Sequence, residues 1–352
     1  MDIDYKKLSL QCRHDIGRQT FKVNKKMFTR EQIDSIVRKG LMSLNLKQEP
    51  QGLYGPVEYM LGLGGKCLRP KLCLSAFSLF SDDITDEIVY PALALEVFHE
   101  FTLIHDDIMD RSDTRRNQPT VHVKWNDNIA ILSGDAMSIL AYRYLALCPP
   151  DKLRDALKLF TDTAMGVCEG QQKDMDFEEQ PFVTMDEYMD MVGQKTGVLL
   201  AYSAAMGALL AGAGEEKVKA LYDFGYNTGL AFQITDDYLD TFGDPVTFGK
   251  PIGGDIALNK KSWLQVEAFH RAKAGERFPE FSQILALGED KREEKIARMT
   301  KMYEELGVRG AASEAILQCH AKAVEALEKG GLDAAQRDYM TEFAEKLIHR
   351  ER

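Results

Sequence analysis

Apolar residues return every three or four positions along most of the chain, and nowhere do they alternate strictly for long enough to predict a strand. The pattern opens at FTREQIDSIVR (28–38). Thr29 and Gln32 stand three apart as a capping box, and Ile33, Ile36 and Val37 follow at helical spacing. A short helix is expected around 57–61, and two more at 72–80 and from about 85 to 108, separated by the acidic turn Ser81, Asp82, Asp83. Residues 111–119 are polar, contain Asn117 and Pro119, and read as a loop. Helical periodicity resumes over 129–147, stops at Pro149 and Pro150, and returns from 151 to about 175. Residues 185–192 form a short amphipathic segment, and 221–234 an apolar helical run. The stretch 195–212 is apolar on nearly all sides and rich in small residues, which predicts a central buried helix with close neighbours. From 262 to 347 charged and apolar residues again follow the helical period. The expected fold is all-α, a single large helical bundle whose long central helices carry functional side chains inward. Residues 1–26 show little periodicity and read as a loosely ordered arm, and Met27 could itself be a start. The expected division is an arm over 1–27 and one domain over 28–352.

Composition narrows the classes. At 352 residues with 45% hydrophobic content, the chain can bury a sizeable core. Its formal net charge of -11 argues against a general nucleic-acid binder. Any anionic substrate must therefore be drawn by local cations and metal. The six cysteines are scattered, with no CxxC pair or zinc spacing, so reduced thiols in a cytoplasmic protein are expected. No secretory leader is read at the polar N-terminus, and no apolar run is long enough for a membrane span.

The strongest chemical signal is acidic. FTLIHDDIMD (101–110) ends an apolar helical run in Asp106, Asp107 and Asp110. Residues four apart on a helix share a face, so Asp106 and Asp110 lie together while Asp107 sits about 100° around the axis. A lone DDxxD could be a solvated helix end. Here it recurs as FQITDDYLD (232–240), with Asp236, Asp237 and Asp240 again following an apolar run. Like charges at this spacing repel, so two such clusters call for a cation. Hard oxygen donors without a His or Cys cluster point to Mg2+, which takes one or two carboxylates and completes its shell with water and phosphate oxygens. The expected ligand is a metal–phosphate complex.

Four basic groups accompany the acids. GGKCLRP (64–70) places Lys66 and Arg69 in a glycine-flanked turn, where Pro70 can begin a helix. Arg115 and Arg116 follow the first aspartates, Lys195 and Thr196 stand at the mouth of the buried apolar helix, and GKPIGGDIALNK carries Lys250 and Lys260 beyond the second aspartates. The last is not a Walker loop, because the GxxxxGK[ST] spacing is absent. His99 and His105 lie on the aspartate helix, where a lone histidine is more often a polar contact. No nucleophile motif supports covalent catalysis.

GGKCLRP, HDDIMD with its following RR, KTG, FQITDDYLD and GKPIGGDIALNK occur in an order that resembles the trans-isoprenyl diphosphate synthases, the polyprenyl synthetase family that includes farnesyl and geranylgeranyl diphosphate synthases. The resemblance spans about 64–264. It implies an isoprenoid-synthase bundle around a central apolar cavity, a homodimer, and condensation of isopentenyl diphosphate with an allylic diphosphate. By position it implies that Asp106, Asp110 and Asp236 ligate three Mg2+ ions holding the allylic diphosphate. Asp107, Asp237 and Asp240 become further ligands or bind through metal-held water. Arg115, Lys195 and Lys250 contact that diphosphate, with Lys260 nearby, and Lys66, Arg69, His99 and Arg116 bind isopentenyl diphosphate. Thr196 and Gln233 place oxygen dipoles beside the allylic cation.

One departure stands out: the family's RRG is here Arg115, Arg116, Asn117, which can alter the loop without removing either cation. Phe101, five residues before Asp106, projects about a turn and a half deeper along the helix. By resemblance an aromatic there is a floor for short products, with small Thr102 beside it, so the expected product is farnesyl or geranylgeranyl diphosphate. A longer-chain synthase is the alternative. A terpene cyclase lacks the second full DDxxD and GGKCLRP, and a silent partner subunit would have lost motif aspartates or lysines.

Overall fold

A computed structural model describes residues 27–244 and 252–349. The expected arm over 1–26 and Lys250 lie outside the described residues. Helices α1 (Arg30–Ser43), α2 (Gln51–Gly62), α3 (Leu68–Ser78) and α4 (Asp86–Met109) are followed by the paired strands β1 (Thr114–Arg115) and β2 (Gln118–Pro119). Then come α5 (Val121–Lys124), α6 (Asp127–Leu145), α7 (Leu153–Glu179), α8 (Met185–Val192), a π-helical turn (Gly193–Gly197) and α9 (Val198–Leu210). The remainder is α10 (Glu215–Phe242), α11 (Gly254–Ala257), α12 (Trp263–Ala274), α13 (Phe278–Leu285), a 3₁₀ turn (Glu289–Lys291), α14 (Arg292–Glu305), α15 (Val308–Lys329) and α16 (Ala334–His349). The all-α expectation is borne out. Among the described residues no helix is long and apolar enough to cross a membrane.

Two compact units divide the chain. The first comprises Met1–Leu157 with Met206–Ala213, and the second Lys158–Ala205 with Gly214–Arg352. In the first, α4 runs alongside α6 and also packs on α3. Its stretch from Ile88 to Phe98 is buried on nearly every side, with Leu93, Leu95 and Val97 fully enclosed. Each such aliphatic side chain contributes about 1.5–3 kcal/mol of hydrophobic stabilisation. In the second unit α10 lies along α15, and a core of Tyr188, Ile234, Trp263, Phe281, Met299 and Tyr303 surrounds its C-terminal half.

The capping box at Thr29 and Gln32 forms as its spacing predicts. Helix α2 begins six residues before its expected start, because Gly52, Gly55 and Pro56 obscure its period. Two expectations are corrected. The loop at 111–119 contains a hairpin whose strands are too short for alternation to register. The segment from 195 does not enter the apolar helix directly but lies in the π-helical turn.

Candidate active site

In the first unit the end of α4 sorts its three aspartates. Asp107 is buried, and its carboxylate accepts from Arg115 Nε at 2.9–3.0 Å and from Nη2 at 2.7 Å. Asp106 is half-buried and Asp110 exposed, one turn apart. The chain then turns sharply at Arg111, with φ +52°, and Thr120 Oγ1 closes the loop by donating to Ser112 O at 2.8 Å.

Pairing of Arg115 with Gln118 leaves Arg116 and Asn117 as a two-residue turn, with φ of +53° and +59°. Positive φ at both positions is type I′ geometry, which Asn tolerates almost as well as Gly. Asn117 thus serves where the resemblance leads one to expect a glycine. Arg116 is the residue that bears the left-handed strain, about 1–2 kcal/mol. In return its guanidinium is aimed back at α4, where Nη2 meets Glu100 Oε1 at 2.7 Å. A Cβ on Gly65 would lie 2.8 Å from the same nitrogen, so the GGKCLRP turn rests against Arg116.

These contacts gather three arginines around His99. Burial and the charges of Arg69, Arg116 and Arg115 hold the imidazole well below its ordinary range, so it is neutral at pH 7. Burial also lowers Arg69, to about 10, against the pull of Glu96 and Glu100. Its Nε is buried and has no hydrogen-bond partner among the described residues. Glu100 is pushed up to about 7 by burial, with Arg116 opposing. Glu96 is raised by burial, with Arg69 opposing, and beside it the Cys67 thiol is pushed up to about 12. Guanidinium forks with an open N–H suit a phosphate oxygen. Lys66 is exposed at the same turn.

Phe101, on α4, is half-buried, with its ring 5.3 Å from Phe98 and 4.8 Å edge-on to His105. His105 Nε2 in turn donates to Ile131 O of α6 at 3.2 Å. Phe101 thus sits in an aromatic row tied to a second helix.

The second unit presents Lys195 and Thr196 on the π-helical turn, a wider winding often found at functional sites. Glycines seat it. A Cβ on Gly193 would fall 2.0 Å from Tyr226 Oη, and one on Gly170 of α7 would fall 2.3 Å from the backbone N of Lys195. Lys195 Nζ pairs with Asp174 Oδ2 at 2.6 Å. Thr196 Oγ1 donates to Gln233 Oε1 at 3.2 Å, and Gln233 Nε2 donates to Asp237 Oδ1 at 3.0 Å.

Asp237 is buried and accepts two more hydrogen bonds on Oδ2, from Tyr188 Oη at 2.6 Å and Trp263 N at 2.7 Å. Burial raises its pKa while those donors oppose the rise. Asp240 Oδ2 accepts from Asp255 N at 3.0 Å, and its carbonyl accepts from Gly253 N. The loop carrying exposed Lys260 is strapped to α10 in this way, and buried Lys295 secures it by donating to Ala257 O at 3.1 Å. Asp236 is half-buried on the same helix.

Sequence reasoning missed Glu96, Glu100, Asp174 and Tyr188. Two acids four apart inside an apolar run could have betrayed the glutamates. Asp174 stands among other charges, and nothing marks it.

Among the described residues no three acidic, His or Cys side chains form a ready-made metal cage. The middle aspartate of each motif is occupied by protein donors. Asp106 with Asp110 on one unit, and Asp236 on the other, are hard oxygen donors of the kind Mg2+ takes one or two of when phosphate and water fill the rest of its shell. The residues fit such an ion.

The sequence profile of a family described as polyprenyl synthetase matches residues 50–306. A short chain isoprenyl diphosphate synthase of Methanothermobacter thermautotrophicus is 36% identical over 85% of this chain and 89% of its own. A geranylgeranyl pyrophosphate synthase of Geoglobus acetivorans is 35% identical over 90% and 96%. A crystal structure of a geranylgeranyl pyrophosphate synthase superposes with a TM-score of 0.87 at 40% identity, covering 93% of this chain and all of that one.

Proposed function

Because the chain belongs to the polyprenyl synthetase family, we propose that its two aspartate motifs and their basic neighbours condense isopentenyl diphosphate with an allylic diphosphate to give geranylgeranyl or farnesyl diphosphate. The chain is a short-chain trans-prenyltransferase. The observation that carries the site reading is the buried, unpartnered Nε of Arg69 beside neutral His99 and Arg116, an N–H that suits a phosphate oxygen.

In this reading Lys66, Arg69, His99 and Arg116 hold the diphosphate of isopentenyl diphosphate. Asp107 takes Nε and Nη2 of Arg115, which leaves Nη1 of the fork for the allylic diphosphate. Lys195 exchanges part of its contact with Asp174 for that diphosphate, Lys260 adds charge from the loop before α12, and Lys250 is assigned the same role by its place in the sequence motif. Divalent metal serves this family in diphosphate ionisation; Asp106, Asp110 and Asp236 are the residues we assign to three Mg2+ ions, which when bound neutralise charge on the departing diphosphate. Asp240 supports the set through water. Thr196 and Gln233 turn oxygen atoms toward the allylic cation, whose positive charge they stabilise without attacking it. Neither motif supplies a general base, and the released diphosphate takes the proton. A homodimer in the cytoplasm belongs to the same reading.

The test is incubation with isopentenyl diphosphate, Mg2+ and dimethylallyl, geranyl or farnesyl diphosphate, followed by product chromatography. Prenyl diphosphates of 15 or 20 carbons are expected. Asp106→Ala and Asp236→Ala should each lower turnover by roughly 10²-fold or more with helicity unchanged by circular dichroism. Near-normal rates in either variant would sink the metal assignment.

A further inference from the structure

We infer that Asp237 is a positioning residue, which sets the direction of a hydrogen-bond chain ending at Thr196, and is not a metal ligand. The inference rests on the functional reading above for what Thr196 faces, but the geometry behind it is independent of that reading. An ionised carboxylate only accepts hydrogen bonds. Asp237 accepts from three protein donors: Tyr188 Oη at 2.6 Å and Trp263 N at 2.7 Å on Oδ2, and Gln233 Nε2 at 3.0 Å on Oδ1. The Trp263 amide can do nothing but donate, so that oxygen must be an acceptor. Toward the other oxygen Gln233 turns its NH2, and it turns its Oε1 the other way, to Thr196.

Oε1 faces Thr196 at 3.2 Å, so the threonine must donate its only proton there. Its lone pairs are what remain for whatever binds beside the π-helical turn. The order is Asp237, then the Gln233 amide, then the Thr196 hydroxyl, and reversing the first link reverses the last. A hydroxyl presenting its proton would repel a developing carbocation, whereas one presenting lone pairs stabilises it. The aspartate thereby acts on the reacting carbon through two intermediaries and touches neither metal nor substrate.

Asp237→Asn tests the direction. Trp263 N requires the amide oxygen of the new side chain, so its NH2 faces Gln233. Gln233 must then flip and donate to Thr196. Single-turnover condensation should fall about tenfold or more, while the Mg2+ concentration for half-maximal rate stays within about twofold. Calorimetric titration of Mg2+ with inorganic diphosphate should likewise stay within about twofold of wild type. In a Thr196→Val background the same substitution should cost less than about threefold, because the chain has already lost its end. A rise of about tenfold or more in the Mg2+ requirement, or additive losses in the double variant, would overturn the inference. Should Asp237→Asn fail to fold, Gln233→Met cuts the chain at its centre and must reproduce the rate loss at unchanged Mg2+ affinity; a wild-type rate there is equally fatal. If the wild-type chain makes no prenyl product, the functional reading fails, and the calorimetric titration still decides whether Asp237 binds metal.

Discussion

Glu100 and Phe101 are neighbours on α4 that carry different consequences. Glu100 is buried, and its carboxyl titrates near 7 where an exposed glutamate titrates near 4.5. A carboxyl whose folded value lies above its unfolded one favours the folded state only while protonated. The contribution is fully present below about pH 4.5 and is lost as pH rises through about 7. The melting temperature of wild type should therefore decline more steeply between pH 5 and 8 than that of Glu100→Gln, a difference worth on the order of 2–3 kcal/mol across the range. Slopes are the proper comparison, because the substitution also removes the ion pair to Arg116. Phe101→Ala should open the aromatic row with Phe98 and His105 and shift products toward longer chains by chromatography. An unchanged distribution would refute its role as a floor. At this scale the titratable partners were the hidden part. The motifs identify Arg69, His99 and Arg116 one by one, but only folding shows that Glu100 pairs with Arg116 and that the charges of Glu96 and Glu100 bear on Arg69.

Among the elements, the π-helical turn has the least tolerance. Gly170→Ala would drive a methyl to 2.3 Å from the backbone N of Lys195, and neither backbone can yield without moving the turn. We expect a loss of about 1–3 kcal/mol by thermal melting, typical of overpacking. Prenyl transfer should fall by more than the stability loss explains, because Lys195 and Thr196 ride on the displaced segment. The helices themselves were legible: 3.6-residue periodicity located most of them, and the capping box at Thr29 fixed one start to the residue. The π winding was not legible, since nothing in GQKTG (193–197) distinguishes a wider turn from an ordinary polar entry to the apolar helix that follows. The hairpin escaped for a different reason. Its strands are too short to alternate, and Asn117, where the resemblance expects glycine, supplies the turn through its left-handed backbone.

At the scale of the whole molecule, helicity should be independent of metal. Like-charge pairs on an exposed helix cost only about 0.2–0.5 kcal/mol, and Asp107 and Asp237 are already satisfied by Arg115, Tyr188, Trp263 and Gln233. Chelation of divalent ions should thus abolish turnover while the far-ultraviolet circular dichroism stays unchanged. Restoring Mg2+ together with inorganic diphosphate should raise the melting temperature by several degrees, as a ligand at about 100 times its Kd adds about 2.7 kcal/mol. A collapse of helicity on chelation would contradict this. The fold class and both acidic motifs were readable because each rests on local spacing. The division into two compact units was not, because it depends on contacts between segments far apart in sequence.

The glycines that seat Lys195 differ in what a drifting sequence could do about them. Gly193 meets the side chain of Tyr226, so a larger residue at 193 could be accommodated if a smaller one arose at 226. Gly170 meets main chain, which every residue at 195 would bring. One position can change in partnership. The other has no partner to change with, and a library of double substitutions should recover activity at the first while finding no second-site rescue at residue 195 for the second.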